Sequence, residues 1–311
     1  MSSAVVFAYH NVGVRCLKVL LAQGVDVQLV VTHEDNPGEN IWFASVAQTC
    51  RDYGIPFITP TNPNTPEIEQ RIAALKPDFL FSFYYRNMLG AALLAAPLHG
   101  AFNMHGSLLP RYRGRVPINW AVIHGETETG ATLHVMNIKP DNGPIVDQHA
   151  VPILPDDTAQ EVFDKVLVAA EICLQRSLPA LLAGTARFTP QDLSQGAYFG
   201  GRKAEDGRLD WQQSAAQIHN LVRAVTIPYP GAFCDLAGTR LTIWRTLHAD
   251  APPGLPTGTT PVLWAAAGSL WLRAGDGGCL KVLAASWNDA PLDTGRFDEL
   301  LGRHPLALQQ S

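Results

Sequence analysis

What this chain lacks narrows it first. No stretch of its 311 residues reaches the roughly 18–20 apolar residues that span a bilayer. Its opening, MSSAVVFAYH, has no basic segment ahead of an apolar one, so neither membrane insertion nor export is expected and the reading is a cytoplasmic protein. The five cysteines (Cys16, Cys50, Cys173, Cys234, Cys279) form no C-x-x-C pair. Their odd number and wide spacing exclude a zinc knuckle or dithiol motif and leave free thiols. Positive charge is also short: 23 Lys and Arg face 28 Asp and Glu, a formal net charge of −5. Broad nucleic-acid binding, which needs a basic footprint, is therefore not expected. The first strand is followed by no G-x-G-x-x-G, and the chain has no Walker sequence and no G-x-S-x-G elbow. GDGG at 275–278 sits between strand patterns with no helix after it and reads as a hairpin turn.

What is present is an ordinary globular composition, 47% hydrophobic and 16% charged, on a chain long enough for two domains. The first half alternates short apolar runs with helical periods. Runs at 4–9, 27–32, 57–59 and 79–85 read as strands, and segments at about 14–22, 40–53 and 66–75 as helices. Such alternation predicts βαβ units and a parallel sheet covered on both faces. A strand at 100–105, a short proline-opened helix at 117–124 and extended segments at 131–138 and 145–153 around PDNGP predict a mixed edge. Residues 157–184 predict a long amphipathic helix from the capping signal DDTAQE to Gly184, with Pro179 kinking or breaking its last turns. The stretch 185–206 is polar and aperiodic, a linker signal. Beyond it, a helix at about 214–225 and short strands at 240–244, 261–265, 270–273 and 280–285 predict a small barrel or sandwich. The expected domains are 1–184 and 207–311.

The stretch that could carry chemistry is GAFNMHGSLLPRYRGRVP, residues 100–117. Residues two apart in a strand share a face, so Asn103 and His105 point together. A histidine moves protons near neutral pH, and an asparagine amide donates to a developing oxyanion. Gly106 leaves room beside the backbone. Asp141, in the turn after the next strand, would bring a carboxylate to the imidazole and favour its charged form. Such a set suits attack by an amine on an acyl group. Each member also has an ordinary reading: a satisfied core histidine, an Asp-Asn-Gly turn, and a solvated loop at Arg111, Arg113 and Arg115 in place of an anion site. His10 and His33 each follow a strand, where α/β sheets bind ligands.

FNMHGSLLPRYRGRVPINWAVIHGETETGATLH, followed by DNGPI, resembles the signature of the folate-dependent formyltransferases. Within that family, VVFAYHNVG, THEDNPGENIWFASVA, FSFYYRNML, FGGRKAEDGRLDW and LVRAVTIPYPGAF are most similar to the UDP-4-amino-4-deoxy-L-arabinose formyltransferases of polymyxin resistance, a likeness that fades after about residue 245. The resemblance implies an α/β domain with a Rossmann-like, mostly parallel mixed sheet, followed by a small OB-like β-barrel. It implies transfer of a formyl group from 10-formyltetrahydrofolate to the 4-amino group of the UDP sugar, a step in lipid A modification, with no metal and no NAD. The NAD-dependent decarboxylase fused to bifunctional members has no counterpart in this sequence, so a separate decarboxylase is an implied partner.

On that likeness Asn103 stabilises the oxyanion, His105 transfers the proton and Asp141 orients His105. Folate contacts carry over to Asn87, Met88 and Leu89, to Arg115, and to Asn137, Ile138, Lys139, Pro140 and Asp141. Asn87 stands where those relatives carry histidine, which puts the side-chain contact there in question. The loops after the first two strands, with His10, Asn11, Gly13, Asn36, Gly38 and Glu39, are expected to select the acceptor. The rival readings are another nucleotide-linked 3- or 4-amino sugar, methionyl-tRNA, and a non-catalytic module that binds folate or a sugar nucleotide. A tRNA enzyme needs a basic second domain, and no Lys/Arg-rich stretch appears from 201 onward. The complete Asn103, His105 and Asp141 set speaks against a mere binding module.

Overall fold

A computed structural model describes residues 1–236, 238–252, 255 and 258–308; the last three residues of the expected 207–311 domain lie outside the described residues. The chain divides into two compact units, the first formed by 1–117, 128–152 and 163–200, the second by 118–127, 153–162 and 201–311.

The first unit opens with the alternation its apolar runs predict: β1 (Ser3–Ala8), α1 (His10–Ala22), β2 (Asp26–Val31), α2 (Val46–Tyr53), β3 (Phe57–Ile58), α3 (Pro66–Leu75) and β4 (Phe79–Phe83). The chain continues through α4 (Ala91–Ala95), β5 (Ala101–His105), β6 (Arg113–Gly114), α5 (Pro117–Ile123), β7 (Glu128–Val135), β8 (Ile145–Pro152), α6 (Ala159–Leu182) and β9 (Tyr198–Phe199); of these, α5 from Ile118 on and the first turn of α6 belong to the second unit. The main sheet runs β3-β2-β1-β4-β5-β7-β8. Its first five strands are parallel, and β7 and β8 are antiparallel to their neighbours, the mixed edge expected. The central strands β1 and β4 are buried almost throughout, as unbroken runs such as FLFSF require when both faces are covered. Phe7, Leu29, Ile72, Leu80 and Leu93 form one shared core cluster. A Cβ on Gly13 would sit 3.1 Å from both Ala8 Cβ and Val46 Cγ2, so the missing side chain lets α1 lie close on β1 and α2.

Three helix expectations are corrected. The helix expected over 40–53 covers only Val46–Tyr53, because the Ser45 hydroxyl caps it by accepting from Gln48 N at 3.2 Å. The residues before it form a loop that carries Trp42 and Phe43 into an aromatic cluster. The first helix begins at His10, four residues before the expected start, directly after extended Tyr9. Pro179 does not end α6, which continues to Leu182. The Gln175 carbonyl that the proline cannot satisfy instead accepts from Gln23 Nε2 at 3.0 Å.

The second unit holds α7 (Ala215–Val225), β10 (Ala232–Leu236), β11 (Thr239–His248), β12 (Val262–Ala266), β13 (Ser269–Arg273), β14 (Cys279–Trp287), β15 (Ala290–Pro291), α8 (Thr294–Leu301) and β16 (Leu306–Ala307). Its antiparallel sheet runs β10-β11-β14-β13-β12-β16 with β15 on β14, an open half-barrel. GDGG turns β13 into β14, with Gly277 at φ 83 and Ala274 N bonded to Gly278 O at 2.9 Å, the hairpin its flanks predict. Ser214 and Gln217 form a capping box that starts α7, which packs on β11 and buries Ile218 and Val222. Among the described residues no helix is long and apolar enough to cross a membrane.

Candidate active site

Strand alternation alone puts Asn103 and His105 on one face of β5; the antiparallel register with β7 adds their partners. Asn103 lies opposite His134, and His105 opposite Thr132. Asn103 Nδ2 donates to His134 Nε2 at 3.1 Å, while His134 Nδ1 donates to the Val135 carbonyl at 2.9 Å. These bonds assign the His134 tautomer and aim the Asn103 amide, which keeps a second N–H for other use.

His105 is buried. Its Nε2 donates to the Tyr112 carbonyl at 2.8 Å, and its Nδ1 faces Asp141 Oδ1 at 3.6 Å. The Tyr112 carbonyl thus takes the proton on Nε2, and Nδ1 is the nitrogen turned toward Asp141. Asp141 Oδ1 also lies 3.6 Å from His134 Nε2, and its Oδ2 accepts from Gly114 N at 2.8 Å. Burial works to raise the Asp141 pKa, but the His105 imidazole and the Gly114 N–H outweigh it and hold the carboxyl well below the usual carboxylate range. The turn expectation for Asp141 is thereby explained: at φ 54 its backbone turns the carboxylate back onto β5 and β7.

The loop after His105 is tied down at several points. Thr132 Oγ1 donates to Ser107 O at 2.6 Å and accepts from Leu109 N and from Gln148 Nε2, which also donates to Leu109 O at 2.8 Å. The basic cluster separates into different tasks. Arg113 donates to the Gly196 and Leu193 carbonyls, whereas Arg115 is exposed and its own N–H donates to Phe199 O.

A cavity opens beside Asn103 and His134, lined also by Asn87, Met88, Leu89, Asn137 and Pro140. Five of the residues expected to hold the folate therefore line the same cavity as the Asn103 amide. Ile138 and Lys139 are exposed next to them in the chain, and Arg115 does not line the cavity. The Asn87 side chain donates to the Thr61 carbonyl at 3.0 Å, so it braces a neighbouring loop. Among the described residues no group of His, Cys, Asp and Glu side chains could hold a metal ion.

A family model described as formyl transferase matches residues 13–178, and one described as formyl transferase, C-terminal domain, matches 202–291. The chain belongs to the formyl transferase family. Solved structures of similar fold include an N-formyltransferase from Helicobacter canadensis in complex with folinic acid and dTDP-3-aminofucose. It is 20% identical, with a TM-score of 0.72, over 91% of this chain and 99% of that one. Another is WlaRD, a sugar 3N-formyl transferase solved with dTDP and 5-N-formyl-THF: 19% identical, TM-score 0.69, 91% and 97% covered. HypX from Aquifex aeolicus in complex with tetrahydrofolic acid is 17% identical with a TM-score of 0.62, covering 96% of this chain and 48% of that one.

In this formyl transferase the loops expected to select the acceptor meet at the carboxyl ends of β1, β2 and β4. Arg86 pairs with Glu39 at 2.8 Å, lies 4.7 Å over the Tyr9 ring, and donates its backbone N–H to His33 Nε2. The hydrogen bond from Arg86 holds the Glu39 carboxyl below its usual range. His10 packs among Trp42, Phe43, Phe163 and Tyr84. Burial, and then the Arg86 charge, push the imidazoles of His10 and His33 down to about 4, so both are neutral near pH 7. Asn11 accepts from Ala44 N at 2.7 Å and Asn36 from Gly38 N at 2.9 Å, so both amides organise loop backbone. Gly13 occupies its packing position inside α1.

Sequence reasoning missed His134, Thr132 and Gln148. The strand pattern contains all three, but choosing them requires the β5–β7–β8 register, and no local signal carries that.

Proposed function

We propose that this formyl transferase moves a formyl group from 10-formyltetrahydrofolate to the 4-amino group of UDP-4-amino-4-deoxy-L-arabinose. The observation that carries the chemistry is the convergence of Asn103, His105 and Asp141 beside a cavity lined by the expected folate loops. The Asn103 amide, aimed by His134, donates to the oxyanion that develops as the amine attacks the formyl carbon. His105 moves the proton between attacking amine and leaving nitrogen, and Asp141 steadies its charged form. Burial makes these interactions stronger than they would be in water.

The donor reading is supported by relatives of the same fold bound to folinic acid, 5-N-formyl-THF or tetrahydrofolic acid. The sugar reading is supported by the likeness of the His10–Gly13 and Glu34–Glu39 loops to those of the arabinose enzymes, and by neutral aromatic and imidazole surfaces beside Arg86 that suit a sugar nucleotide. A second acceptor, a dTDP-linked 3-amino sugar, is favoured by the Helicobacter canadensis complex and WlaRD. Incubation with 10-formyltetrahydrofolate and a panel of UDP- and dTDP-amino sugars, read by product mass, separates them. Formylation of the UDP-arabinose sugar at the highest kcat/KM is expected. Preference for a dTDP sugar selects the second reading, and no product with any amino sugar refutes both.

A further inference from the structure

Residues 185–200, a linker by composition, run along the loops that carry the reacting residues. Ile145 and Thr189 exchange two backbone hydrogen bonds, of 2.7 and 2.8 Å. Farther on, β9 pairs in parallel with β6, matching Arg113 with Tyr198 and Gly114 with Phe199. Between these two attachments stands Gln191. Its Nε2 donates to the Asp141 carbonyl at 3.1 Å and to the Gly143 carbonyl at 2.6 Å, bridging both ends of the Asp-Asn-Gly turn.

That turn needs outside support. Asp141 holds φ 54, a left-handed conformation that a residue with a side chain keeps only where its surroundings over-determine it. Gly143 is pressed against Val135 O so closely that a Cβ there would overlap it. The carboxylate's own contacts, with Gly114 N and toward His105, act on the side chain. Gln191 acts on the backbone, and one amide holding two carbonyls fixes both the position and the rotation of the turn. We propose that Gln191 is a positioning residue for Asp141, clamping the turn so that its carboxylate faces His105.

The proposal rests on the formyl-transfer reading, and its test is a double-mutant cycle. Gln191→Ala removes the clamp; Gln191→Glu keeps the shape and loses both donors. A misplacement of about 1 Å costs on the order of 10²-fold in rate, so each variant is expected to lower kcat by roughly 10- to 10²-fold with KM for the amino sugar unchanged. In an Asp141→Asn background the same substitutions should lower kcat little further, because the clamp acts through Asp141. A merely structural role would lower the melting temperature and cost the same factor in both backgrounds. Additive losses, or wild-type kcat in both variants, overturn the proposal. The carboxyl ¹³C titration of Asp141 needs no substrate and should move up in Gln191→Ala, as the turn drifts from His105 on β5, His134 on β7 and Gly114 on β6; an unchanged titration also overturns the proposal. A wild type inactive on every amino sugar refutes the formyl-transfer reading instead, and the titration then decides the clamp alone.

Discussion

Gly106 separates His105, the proposed proton-transferring residue, from the loop that follows, and there is no space for a side chain there. A Cβ on Gly106 would overlap the Tyr84 hydroxyl oxygen and lie 3.2 Å from Tyr84 Cζ. Gly106→Ala must therefore push either the tyrosine or the loop by about 1 Å, the displacement that costs on the order of 10²-fold in rate. Tyr84 is poorly placed to yield: it sits at φ 58, with ring centroids 6.3 Å from His10 and 6.2 Å from Phe163. The loop should move instead, carrying His105 with it, so kcat should fall about 10²-fold. Overpacking of this kind also costs roughly 1–3 kcal/mol, a melting point lower by a few degrees to about ten. Tyr84→Phe removes the overlapping oxygen and leaves only the 3.2 Å carbon contact, which a few tenths of an ångström relieve. The double variant should therefore recover most of the rate relative to Tyr84→Phe alone. Formyl-amide product measured by mass under saturating donor and acceptor reads these rates. Wild-type kcat in Gly106→Ala, or a double variant as slow as the single, would refute the steric account.

Asn103→Ala should lower kcat by roughly 10²–10³-fold, since on the proposed mechanism it removes one oxyanion donor, and should lower the melting temperature by a few degrees, since it leaves buried His134 without its donor; a smaller rate loss, measured at saturation, would remove Asn103 from that role. Gln148→Ala should cost about tenfold in kcat by freeing Leu109 O and Thr132 from their shared donor, and equal activity in both proteins would show that the loop holds without it. Because His10 and His33 are pushed from the ordinary value to about 4, the unfolded chain binds their protons first: their contribution is complete above about pH 6.5 and is lost as pH falls toward 4. Thermal melts should fall over that window, and less so in His10→Gln. Asp141 is depressed from the ordinary carboxylate value, so its contribution is present above about pH 4 and fades as pH falls through its lower folded value. Chemical denaturation of Asp141→Asn should then show a weaker acid dependence than wild type below pH 4.

Local chemistry determined a good deal of this protein by itself. The unbroken apolar runs at β1 and β4 and the helical periods between strands are consequences of burial on two faces, which a short window records. The period of two in a strand was enough to pair Asn103 with His105, and an Asp-Asn-Gly turn was enough to mark Asp141. The signals failed where a neighbour far along the chain sets the outcome. Residues 40–45 have helical spacing, but Ser45 caps the helix late and the segment's aromatic rings pack instead against His10 and Phe163. Arg113 read as solvated loop or anion-binding charge until its carbonyl partners, eighty residues on, were in place. His134 meets Asn103 only because β7 returns antiparallel to β5 in one register; a slip of one residue would turn the imidazole to the other face of the sheet. Backbone preference and side-chain period depend on adjacent residues and are written in the sequence. Strand register and hydrogen-bond pairs such as Gln191 with Asp141 depend on which segments dock, and only the tertiary structure decides that.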